Sequence, residues 1–265
     1  MLKQAIRVGN GAGVLLPRRY LGNIVEIKIR TRTKDDIKKQ ILNAVFPHLR
    51  HVLGIYLVGS YARNEENADS DVDTIIVTNK RIILEVENYH LTCITYEDLT
   101  KYMEGNIVEF YPRLMEAETI LNESLLQELL KIPITKKNLR WHLESSKSAL
   151  KVIEKALLTQ DKDLIVNDAI VYSLMLRLRQ IYLVDCMLSN RVASTQGLIK
   201  YAESVKSIER LYNSYRMLRD NEKIKIEISV SEIKEGYDFA NEKLRIQERK
   251  INELKKEEKT AREKN

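Results

Sequence analysis

The chain has 265 residues, 44% of them hydrophobic, which is enough to bury a core and to divide into two or three units. Its net charge is only +6, and Asp168, Arg177, Arg179 and Asp185 break up the most apolar stretch, 163–188, so no membrane span is expected. Cys93 and Cys186 each stand in an apolar run without a partner at metal-ligand spacing, which excludes a disulfide framework or a zinc site; with no apolar leader after Met-Leu-Lys-Gln, a cytoplasmic protein is expected.

The first predicted element is "AIRVGNGAGVLLPRRYLGNIVEIKI", in which two β-rich runs flank a Gly-rich turn and a Pro. It reads as a β-hairpin unit over 1–31, too small to be stable alone, so it must pack on something or on a second copy. The first 50 residues hold eleven Lys and Arg against Glu26, Asp35 and Asp36, a local +8 that suits a polyanion. The "GNGAGVLLP" run followed by "GNIVEI" resembles the swapped-hairpin modules of the AbrB/MazE type. That resemblance implies a homodimer and a possible nucleic-acid contact through this basic region.

A mixed α/β unit is predicted over 32–132. "TKDDIKKQILNAVFPHLRHV" places Ile37, Ile41, Leu42, Val45 and Leu49 on one helical stripe, starting near Thr33 or Asp35. A strand ending at Gly59, a loop, a strand over 71–77 and further strand-like runs at 81–86 and 89–95 follow. Thr95 and Asp98 stand at capping spacing for a short helix.

From 133 to 265 the pattern is helical. Leu139, Leu143, Leu150, Ile153 and Leu157 keep helical spacing, and 163–188 is apolar nearly all round, as the central helix of a bundle should be. Another helix is predicted over 203–219, and a last one from Ser229, whose spacing to Glu232 fits a capping box. Past Arg249 the apolar stripe thins among alternating charges, so an exposed helix is expected there. The fold class is therefore α+β: a small N-terminal hairpin unit, a mixed-sheet domain and a C-terminal helical bundle. Abundant Lys, Glu, Ile and Tyr with few Gln and Cys suits a heat-loving, archaeal source.

The chemistry concentrates in "LVGSYARNEENADSDVDTIIV", 57–77. Residues two apart on a strand share a face, so Asp71 and Asp73 project together, and two parallel carboxylates repel unless a cation binds them. Mg²⁺ takes one or two carboxylates plus phosphate oxygens and often works as a pair in phosphoryl transfer. Gly59 allows close backbone approach, and Ser60 with the following amides can hold phosphate oxygens.

With ten residues between Ser60 and Asp71, the loop resembles the signature of the DNA polymerase β superfamily of nucleotidyltransferases. "GS-x-A-R" (Gly59, Ser60, Ala62, Arg63) and "S-D-x-D" (Ser70, Asp71, Asp73) are the forms common in its minimal members. The resemblance implies that Asp71 and Asp73 bind two Mg²⁺ ions, that Gly59 and Ser60 cradle the phosphates of an NTP, and that Arg63 can neutralise their charge. It implies transfer of a nucleoside monophosphate to a hydroxyl acceptor with release of pyrophosphate. The base of the nucleotide is not specified, and a small molecule, an RNA end or a protein side chain all stay open as acceptor.

One departure stands out. The family usually places a third carboxylate on a later strand, and "YHLTCIT", 89–95, has none. Glu85 and Glu87 precede it, Glu97 and Asp98 follow, and His90 sits inside it as a possible replacement base. The alternative reading is a catalytically weak nucleotide- or nucleic-acid-binding module of regulatory or antitoxin type. The helical region resembles HEPN-like bundles fused to such enzymes but lacks the ribonuclease motif of an Arg followed by a His.

Overall fold

The computed structural model describes residues 6–9, 11–26, 32–67, 70–159, 165–220 and 226–263. The chain divides into two units, Met1–Arg32 and Thr33–Asn265. In the first, β1 (Ile6–Val8) and β2 (Gly11–Gly13) form an antiparallel hairpin with Ile6 opposite Gly13. None of the described side chains of this unit is buried, and Val8, Leu15, Leu21 and Ile24 are exposed. Of the second β-run expected within "GNIVEIKI", 22–29, residues 22–26 form no strand and 27–29 lie outside the described residues.

The second unit opens with α1 (Lys34–Val45), which forms where Thr33 and Asp36 satisfy each other in a capping box. Ile37, Ile41 and Val45 are buried, whereas Leu42 and Leu49, expected on the same stripe, are exposed. The buried seam follows the i, i+4 row, and Leu42 lies off it. A 3-10 turn at Phe46–His51 leads into β3 (Val52–Val58), which runs into the short α2 (Gly59–Arg63). Then follow β4 (Val72–Thr78), β5 (Tyr89–Thr95), α3 (Tyr96–Gly105), α4 (Tyr111–Met115) and β6 (Glu118–Leu121). The sheet order is β5-β4-β3-β6; β3 is antiparallel to β4 and β6, and β4 is parallel to β5.

The run 81–86, expected as a strand, is not one. Only Val86 bridges, to Tyr89, across a turn at Glu87 and Asn88, where Asn88 takes a left-handed φ of 63°. The tight turn brings the chain back onto β5 with a single bridge. Residues 81–85 therefore lie alongside the sheet and outside its ladder.

The remaining helices are α5 (Glu123–Leu129), α6 (Lys136–Leu158), α7 (Asp168–Leu188), α8 (Thr195–Tyr201), α9 (Ile208–Arg219) and α10 (Val230–Glu263). The helix expected over 203–219 starts only at Ile208; a string of turns occupies 202–207. Ser229 and Glu232 form the expected reciprocal cap of α10. Among the described residues no helix is long and apolar enough to cross a membrane.

The alternation of side chains along the sheet decides where the site lies. Ile55, Leu57, Val72 and Ile76 pack with α1. Tyr56, Val58, Ile75 and Val77 point the other way and share one hydrophobic cluster with Leu99, Met103, Leu139, Leu143, Leu174 and Leu178 of α3, α6 and α7. The core on that face thus runs from the sheet into the helices without interruption, and Asp73 shares its strand face with Ile75 and Val77.

Candidate active site

Asp73 stands between two partners. On β3 it is opposite Val58, the residue before Gly59, and on β5 it is opposite His90. Directly paired residues share a face, and Nδ1 of His90 lies 3.1 Å from Oδ1 of Asp73. The His90 side chain is 71% exposed and that of Asp73 33%, so the pair sits at a wet rim. Asp71 is exposed, just before β4.

Gly59 makes the turn from β3 into α2 with a φ of 76°, a region where L side chains are strained. A Cβ there would lie 2.6 Å from Oδ2 of Asp73. Glycine is thus required twice, by the turn and by the carboxylate pressed against it. After it, Tyr61 anchors α2 in the core at 3% exposure, and Asn64 ends the helix in the left-handed conformation. Ser60 is half-buried at the first turn, beside Asp73's end of β4.

Arg63 does not stand free. Its Nη1 donates to Oε2 of Glu116 at 2.6 Å and its Nε to Oε2 of Glu65 at 2.8 Å. Burial opposes its charge, but the two carboxylates more than offset this and hold the guanidinium above its ordinary value. Glu116 also accepts a 2.7 Å hydrogen bond from the Gly59 amide. Burial pushes the Glu116 carboxyl up, against the opposing pull of Arg63, the Gly59 amide and Arg179 of α7. Glu65 in turn accepts from the Thr195 amide of α8 at 3.5 Å. The loop after β3 is tied in this way to the segment after α4 and to the helical region.

The other acids of the sequence lie elsewhere. Glu85 and Glu87 are exposed in the connection before β5, and Glu97 and Asp98 open α3 at the far end of that strand, where Thr78 is opposite Thr95. Glu118 on β6 is held by Lys34 and Lys38 of α1, each at 2.7 Å. Among the described residues no group of three or more His, Cys, Asp and Glu converges on a metal position. Two hard oxygen donors, of which Asp73 keeps one oxygen off His90, fit Mg²⁺ that completes its shell with phosphate and water oxygens.

Glu116 and Arg179 carry no local signal in the sequence: one is a single acid after a five-residue helix, the other one of many charges on a long helix. Residues 26–142 match the family model described as "Nucleotidyltransferase domain". A search of curated proteins found no match. Among solved structures, spectinomycin adenyltransferase from Enterococcus faecialis, determined with ATP and spectinomycin, is similar at 13% identity and a TM-score of 0.48, covering 81% of this chain and 100% of that one. A nucleotidyltransferase-like protein from Exiguobacterium sibiricum is similar at 10% identity and a TM-score of 0.35, covering 80% of this chain and 75% of that one.

Proposed function

We propose that this chain, a transferase carrying a nucleotidyltransferase domain over residues 26–142, moves a nucleoside monophosphate from an NTP to a hydroxyl acceptor at the row formed by Gly59, Asp73 and His90. The acceptor oxygen forms a bond to the α-phosphorus, the bond from that phosphorus to the bridging oxygen breaks, and pyrophosphate leaves with the electron pair. The observation that carries this reading is the register: the carboxylate of Asp73 lies with a glycine turn on one side and a histidine on the other.

Asp71 and Asp73 would hold two Mg²⁺ ions, which would neutralise phosphate charge when bound. Gly59 and Ser60 receive the β- and γ-phosphates on the β3 side of Asp73. Attack in line with the leaving group then requires the acceptor on the opposite side, over β5. His90 stands there. With Nδ1 turned to Asp73, its Nε2 faces away from that contact and is available for the acceptor proton. Arg63, bound to two carboxylates, acts on the shape of the loop more than on the phosphates; Arg179 is an exposed cation within electrostatic reach of Glu116 and suits the leaving pyrophosphate. The face of Asp73 is the one the helices cover, so α7 and α8 help choose among a small molecule, an RNA end or a protein side chain as acceptor.

The first unit supports a further partner. Its described side chains bury nothing, so a second copy that covers Val8, Leu15 and Leu21 would make the protein a homodimer. Its basic charge would suit nucleic acid, in which case binding should weaken steeply with salt.

Isothermal titration of each NTP with Mg²⁺ into wild type and Asp71→Asn/Asp73→Asn, followed by pyrophosphate release from the best binder, tests the reading. Magnesium-dependent binding that the double variant abolishes, with release, supports it. No binding to wild type sinks it.

A further inference from the structure

A helix of five residues does not hold itself, since nucleating a helix costs more than so few hydrogen bonds return. Yet α2 must keep Gly59 at a φ of 76° hard against Asp73. One side chain bonds to both of its ends. Oε1 of Glu116 accepts from the Gly59 amide at 2.7 Å, at the first residue, and Oε2 accepts from Arg63 at 2.6 Å, at the last. Its side chain is only 9% exposed and that of Arg63 only 20%. Burying a carboxylate is costly unless it is paired and hydrogen-bonded, and here every oxygen is engaged. The same pairing cancels the negative charge that Glu116 would otherwise turn toward a triphosphate.

We propose that Glu116 is a positioning residue for the phosphate-binding turn: it pins the two ends of α2 so that Gly59 and Ser60 are preset for the β- and γ-phosphates of the nucleotide. This rests on the reading of Gly59 and Ser60 as the phosphate cradle. Glu116 touches no reacting atom; it acts through the Gly59 amide and Arg63. Gln at 116 keeps one acceptor oxygen, for either the Gly59 amide or Arg63 but not both, and turns its NH2 donor toward the other, whereas Ala keeps no acceptor.

The test uses the full chain and two probes, the tightest-binding NTP and the matching NMP, each with Mg²⁺. Glu116→Ala is expected to weaken NTP binding on the order of tenfold to a hundredfold, as misplaced positioning groups do, and to leave NMP binding within twofold or so of wild type, because the NMP lacks the phosphates that α2 holds. Glu116→Gln, which keeps one of the two contacts, should recover part of the loss. Equal weakening of NTP and NMP would reduce Glu116 to a structural role and overturn the proposal, as would unchanged NTP binding in Glu116→Ala. Should Glu116→Ala fail to fold, Arg63→Met removes the other half of the clamp and must show the same NTP-selective loss. Failure of wild type to bind any NTP with Mg²⁺ would overturn the cradle itself, a result distinct from wild-type binding that ignores position 116.

Discussion

Asp73 and His90 stand opposite each other on parallel strands, and Oδ1 of the one lies 3.1 Å from Nδ1 of the other. The pair occupies the place where the sequence offers no third acid. Because His90 is exposed and packs against little, its removal tests chemistry apart from folding.

His90→Gln should lower kcat on the order of a hundredfold or more, the usual contribution of a proton-transferring group. Nucleotide affinity by titration calorimetry and the thermal midpoint should both stay near wild type. An unchanged kcat would remove His90 from the chemistry and return the search to the acids around it.

Gly59→Ala should be both less stable and inactive. The left-handed backbone of an L residue costs roughly 1–3 kcal/mol, and the new Cβ meets Oδ2 of Asp73 at 2.6 Å, so the carboxylate must move. Denaturant unfolding reads the first effect and Mg²⁺-dependent NTP binding the second. A fully active Gly59→Ala would mean that the turn tolerates displacement of Asp73.

Stability should fall as the solution is acidified, through His142. This residue is fully buried on α6, with Nε2 2.7 Å from Oε1 of Gln247 on α10. Burial holds its pKa below the ordinary value, against the hydrogen bond it donates to Gln247 and the charge of Asp185. A depressed folded value means that the unfolded chain binds the proton first. The stabilisation is therefore complete above the unfolded value of about 6.5 and is lost as pH falls below it toward the folded value. Thermal midpoints between neutral and mildly acid pH should drop in wild type and drop less in His142→Gln.

The sheet and the helices should unfold as one. Leu139 is fully buried in the cluster that also holds Val58, Ile75 and Val77. Leu139→Ala should cost about 2–5 kcal/mol and lower the midpoints reported by far-UV dichroism and by NTP binding together. Separate transitions would show that the bundle past residue 133 holds itself apart from the sheet.

The sequence determined a good deal by itself. Two aspartates two apart at a strand start, a Gly-Ser ten residues before them, and the caps at Thr33, Thr95 and Ser229 are local patterns, and local patterns depend on backbone geometry alone. The family match over 26–142 agrees with the reading of that loop. What only the tertiary structure decided depends on side chains meeting across long stretches of chain. Strand order placed His90 beside Asp73; the faces of β4 aimed that carboxylate at the helices; and Glu116 reached Gly59 and Arg63 from more than fifty positions along the chain. Helical periodicity also overestimated α1, where Leu42 is exposed, and β-rich composition overestimated 81–86, which the turn at Asn88 keeps out of the ladder. Composition shows which residues can form a contact, and only the closed chain shows which of them are near enough to form it.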